Sequence, residues 1–110
     1  MATNYLVLGQ VAPSASTNTT LYTAPSSTQA VVSTIFACNR GSSAAKYRVA
    51  VRPDGAAISN QHYLFYDVDL EARATVAITT GITLGDTDVV TVYSDSASLS
   101  FSAFGSEITA

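Results

Sequence analysis

Apolar and polar residues alternate with a period of two along most of this chain, and no window shows the 3.6-residue periodicity of an amphipathic helix. β-Branched and aromatic residues crowd into short runs between Gly, Pro, Asp and Ser clusters, the punctuation of turns between strands. The runs predict strands over Tyr5–Val11, Thr19–Thr23, Ala30–Cys38, Ala45–Arg52, His62–Val68, Thr75–Thr79, Val89–Ser94 and Leu99–Ile108. Such spacing predicts an all-β fold, a single-domain antiparallel β-sandwich or jelly-roll-like barrel of about eight strands. With 110 residues and no linker, repeat or low-complexity block, the chain reads as one domain over 1–110.

Ala45–Arg52 is the clearest strand: Tyr47, Val49 and Val51 share one face, Lys46, Arg48 and Arg52 the other, so one side goes to core and the other to water or a partner. Pro53-Asp54-Gly55 then reverses the chain, Pro presetting the turn and Gly accepting positive φ. Ala30–Cys38 differs. It carries Val32, Phe36 and Cys38 on one face and Val31, Ile35 and Ala37 on the other, with no charge. A strand apolar on both faces is expected to be central or covered, with Phe36 in the core, because exposed it would aggregate.

Hydrophobic residues make up 47% of the chain and charged residues 12%, about half the usual charged share. Ser, Thr and Ala take the place of the missing charge, giving a surface that loses little desolvation energy when neighbours cover it. The net charge of −3 and the lack of a polybasic run argue against nucleic-acid binding. No stretch reaches the roughly 18 consecutive apolar residues of a membrane span, so no membrane contact is expected. Ala-Thr-Asn-Tyr after Met1 lacks the basic and apolar regions of a secretory signal, so synthesis in a cytoplasm is expected.

Catalysis needs a nucleophile, a base and an orienting group held together, and this chain offers one histidine and one cysteine far apart in sequence. No catalytic residue, metal site or cofactor is assigned. Cys38, within Ile35-Phe36-Ala37-Cys38, reads as a buried small hydrophobe and His62 as a structural histidine. Asp67, Asp69 and Glu71 alternate and could meet a hard cation, yet neither they nor Asp86 and Asp88 show calcium-loop spacing; a solvated acidic rim is the simpler reading. Asn18-Thr19-Thr20 matches a glycosylation acceptor, an accidental match without a signal.

Charge placement says more than any motif. Arg40, Lys46, Arg48 and Arg52 cluster around one strand, whereas Asp67, Asp69, Glu71, Asp86, Asp88 and Asp95 lie in the later half. On opposite sides of the fold these clusters would make the chain complementary to its own copies. Facing each other within one molecule, they would form surface ion pairs worth roughly 0–1 kcal/mol each. The first arrangement is the expectation, with Arg40, Lys46, Arg48, Arg52, Asp67, Asp69 and Glu71 as partner-contact candidates.

The strings Leu21-Tyr22-Thr23-Ala24-Pro25, Ala30-Val31-Val32-Ser33-Thr34, Cys38-Asn39-Arg40, Tyr47-Arg48-Val49-Ala50-Val51-Arg52-Pro53, Asn60-Gln61-His62-Tyr63, Thr87-Asp88-Val89-Val90-Thr91-Val92-Tyr93 and Phe104-Gly105-Ser106-Glu107-Ile108 span nearly the whole chain. Together they resemble a family of small virion structural proteins of tailed bacteriophages, notably marine and cyanobacterial ones. The resemblance implies a non-enzymatic, repeated component of a virion, assembled in a host cytoplasm as a homo-oligomer or against other virion proteins such as the major capsid or tail protein. A capsid decoration (cement) protein or a tail-associated component is expected. The alternative is a carbohydrate- or receptor-binding module of a fibre or baseplate, suggested by the aromatic stretch His62-Tyr63-Leu64-Phe65-Tyr66.

Overall fold

A computed structural model describes residues 2–79 and 81–109. Among them the period-two patterning becomes nine strands: β1 (Ala2–Val11), β2 (Thr19–Thr23), β3 (Thr28–Asn39), β4 (Ala45–Arg52), β5 (Tyr63–Leu70), β6 (Thr75–Ile78), β7 (Ile82–Leu84), β8 (Val89–Ser94) and β9 (Leu99–Thr109). Among the described residues the helical pieces are two short 3-10 turns, Pro53–Gly55 and Asn60–His62, both between β4 and β5. The strands form an antiparallel β-sandwich. One sheet runs β1-β9-β3-β6, with β7 also paired to β3, and the other runs β2-β8-β4-β5.

β7 is the strand that sequence patterning missed, because three residues after a glycine are too few to show alternation. β1 begins at Ala2 and β3 at Thr28, earlier than the pattern indicated, and His62 closes a 3-10 turn instead of opening β5. The reversal after β4 forms as expected, with Gly55 at positive φ; Asp54 joins it there.

The core lies between the sheets. Phe101, Ile35, Leu99, Val32, Val49, Val90 and Val92 are fully buried, each stabilising the fold by roughly 1.5–3 kcal/mol through burial. Tyr47 packs its ring against Phe65 and Phe101, both with centroids 6.4 Å away.

β3 is central, as its two-sided apolarity requires, but its faces are not the ones strict alternation gives. The pairing of β3 with β9 shifts register between Val32 and Thr34, so a bulge at Ser33 changes the phase of the strand. Before the bulge Ala30 and Val32 point inward; after it Ile35, Ala37 and Asn39 do. Phe36 is therefore outward and 39% exposed, stacked edge-on against Phe104 at 5.8 Å, and Cys38 is half-buried. The expectation that both belong to the core is corrected by this one extra residue. Gly105 of β9 lies opposite the bulge, where a Cβ would run into the Val31 carbonyl.

Asn39 is buried without being apolar. Its Nδ2 donates to the carbonyls of Ser43, Leu70 and Glu71 at 2.9, 3.1 and 3.2 Å, while its Oδ1 accepts from the Gly41 N–H and the Ser98 hydroxyl at 2.9 and 3.0 Å. One side chain thus fastens the β3–β4, β5–β6 and β8–β9 connections together.

Candidate functional site

The antiparallel pairing of β4 with β5 decides where the charges go. Lys46 sits directly opposite Asp69, and the Lys46 Nζ meets the Asp69 carboxylate at 2.6 Å. That hydrogen bond raises the Lys46 pKa above its ordinary value. Between Tyr47 and Val49 the register shifts, so that Tyr66 and Asp67 together oppose Arg48; Asp67 adopts positive φ to do so. The Arg48 Nε then donates to Asp67 Oδ1 at 2.7 Å, and its guanidinium lies 4.2 Å from the Tyr66 ring centroid and 4.1 Å from that of Tyr93. The same hydrogen bond lowers the Asp67 pKa and raises that of Arg48.

The remaining basic candidates are also engaged. Arg52 donates to the Thr91 hydroxyl at 3.0 Å and to the Ala56 carbonyl at 3.0 Å, and Arg40 donates to the Ala97 carbonyl at 2.9 Å. Asp95 accepts from the Lys46 N–H, and Asp88 from the N–H groups of Asp54 and Gly85. Glu71 and Asp86 are exposed. The expected segregation of basic and acidic clusters onto opposite sides is thus overturned: the basic strand and the Asp67–Asp69 segment are neighbours in one sheet and neutralise each other. Asp67 and Asp69 are accordingly turned to cations of this chain, and among the described residues no group of three His, Cys, Asp or Glu side chains is placed to hold a metal. His62 is buried, its Nδ1 accepting from the Ser59 N–H in the turn before β5.

The other sheet has the opposite character. Within its strands Glu107 alone is charged, and it accepts a hydrogen bond from the Tyr22 hydroxyl of the facing sheet. Burial and that carboxylate push the Tyr22 pKa up. The outer face presents Tyr5, Val7, Val31, Phe36 and Phe104 among Ser, Thr and Gln side chains, with Tyr5 86% and Val7 49% exposed. A shallow depression runs between Tyr5 and Val7 on β1, Val31 and Ser33 on β3 and Phe104 on β9.

The sequence held a signal for this surface. Residues 1–39, 74–85 and 96–106 contain no Asp, Glu, Lys or Arg, and these are the stretches that supply β1, β3, β6, β7 and most of β9. Covering such a face strips water from no ion, whereas covering the β4–β5 face disturbs ion pairs already satisfied in water. Compared with known proteins, the chain matches no family model, no curated protein and no solved structure, so its function is read from these two surfaces and from the residues themselves.

Proposed function

We propose that the chain is a non-enzymatic structural component of a phage particle, a capsid decoration or tail-associated unit present in many copies and seated on neighbouring virion proteins through the outer face of the β1-β9-β3-β6 sheet. The observation that carries this reading is the charge-free outer face itself, with aromatic and aliphatic side chains exposed at its centre. Exposed apolar groups rimmed by uncharged polar ones have the composition of an interface core, where charge is depleted and aromatics are enriched. The resemblance of the sequence strings to phage virion proteins supports the same role.

The test is incorporation of purified protein into particles lacking it. Phe36→Asp places a charge at the middle of the outer face and should abolish incorporation while leaving a β-rich, soluble chain. Lys46→Glu on the other sheet should incorporate as wild type does. Equal incorporation of both variants would refute the assignment of this face.

A second reading, a carbohydrate- or receptor-binding module, has one feature in its favour: Tyr66 is 56% exposed and packs at 4.9 Å against Tyr63. Arg48 already covers one face of that ring. Selective signal on a glycan array, lost in Tyr66→Ala, would favour this reading over the first.

A further inference from the structure

The sandwich has several open edges, and among the described strands all but one are blunted. β6 and β7 are four and three residues long. β2 has five residues and a register break beside Leu21. β5 has two register breaks and carries Asp67 and Asp69. Short length, bulges and charge are the devices by which proteins keep sheet edges from pairing with other chains.

β1 has none of them over its first half. Ala2–Val7 pairs with Thr109–Phe104 of β9 in unbroken register, contains no charge and no proline, and its break at Leu8 comes after this stretch. All six residues are exposed, and nothing in the described chain pairs with their other side. An open row of backbone donors and acceptors about 20 Å long, at about 3.4 Å per residue, is a template for one more strand.

We infer that the strand added there is β1 of a second copy, antiparallel to the first about a two-fold axis perpendicular to the sheet, so that two sandwiches share one continuous sheet. This rests on the assembly role proposed above and names its first partner. Charge is the reason a copy fits. Two identical chains each carry −3 and repel wherever their charged groups meet, and this edge, with the strands beside it, is where outward charge is missing. Symmetry then fixes the register further, because outer faces stay aligned only if some residue lies opposite its own copy. Tyr5 opposite Tyr5 pairs Thr3–Val7, the five residues just before the bulge: Thr3 faces Val7, Asn4 faces Leu6, and the exposed Tyr5 ring gains an aromatic cross-strand partner.

Sedimentation equilibrium of the purified full chain is the first test. The wild type should show twice the chain mass of 11.4 kDa and keep it as sodium chloride is raised, since no ion pair holds the contact. Tyr5→Lys, a charge at an exposed edge position, should give the single-chain mass with an unchanged far-UV circular dichroism spectrum. Leu64→Lys, at a residue 48% exposed on the other sheet, should stay dimeric. In a Cys38→Ser background Tyr5→Cys should cross-link two chains on mild oxidation, because directly opposed Cβ atoms lie roughly 4.5–5.5 Å apart; Leu64→Cys should not.

A wild type that sediments as a monomer at every concentration, or a Tyr5→Lys variant that dimerises like it, would overturn the pairing. A monomeric wild type that still joins particles would leave this edge to a strand of another virion protein and the assembly role intact. A Phe36→Asp chain that dimerises yet stays off the particle would separate the two contacts in the other direction, supporting both.

Discussion

Removing the Asn39 side chain should destabilise this protein more than most core truncations, although asparagine is a polar residue. The side chain is 1% exposed, its two N–H groups are shared among three main-chain carbonyls, and its Oδ1 accepts two hydrogen bonds. With two N–H donors and two accepted bonds, a net contribution of about 0.5–1.5 kcal/mol per bond puts their sum near 4 kcal/mol. Water can re-enter the bonds that are only part-buried, so Asn39→Ala should cost about 3 kcal/mol, a large share of the roughly 5–15 kcal/mol by which domains are stable. Asn39→Asp should cost more at neutral pH, because it faces three carbonyl oxygens with a carboxylate in place of an amide. Its folded-state pKa would be raised above the unfolded one. The Asp variant should therefore gain stability relative to the Ala variant as pH falls through the carboxylate range. Chemical denaturation followed by far-UV circular dichroism measures both effects. A loss below about 1 kcal/mol for Asn39→Ala would refute the account of Asn39 as the clasp of three connections.

The bulge at Ser33 sets a contrast between neighbours: Ile35→Ala, inward and 1% exposed, should cost about 2–5 kcal/mol, and Phe36→Ala, outward on Phe104, about 1 kcal/mol. Denaturation midpoints ranked the other way would refute the assignment of the two faces. Asp67, with its pKa lowered by the Arg48 hydrogen bond, contributes stability that is present above its unfolded pKa and lost as pH falls through its folded one. Wild type and Asp67→Asn should therefore differ most at neutral pH and converge on acidification; parallel curves in a pH series of thermal melts would mean that the ion pair contributes nothing.

The sequence by itself determined that the chain is all-β, an antiparallel sandwich or barrel, because a period of two, repeated between turn residues, buries one face of each segment only when strands pair into sheets; the structure decided for the sandwich. Thr19–Thr23, Ala45–Arg52 and Val89–Ser94 appear with the bounds their patterns give. Tertiary structure decided which faces and which charges meet. One residue inserted at Ser33 turned Phe36 from the core to the surface, and nothing in Ala30–Cys38 marks that position, since both its faces are apolar. Lys46 and Arg48 found Asp69 and Asp67 because β4 and β5 are neighbours, a fact of strand order that local patterning does not contain. The exposed edge of β1 was likewise undecided by Ala2–Val7 alone: a strand is an edge or an interior member according to what the rest of the chain lays beside it, and here β9 took one side and left the other open.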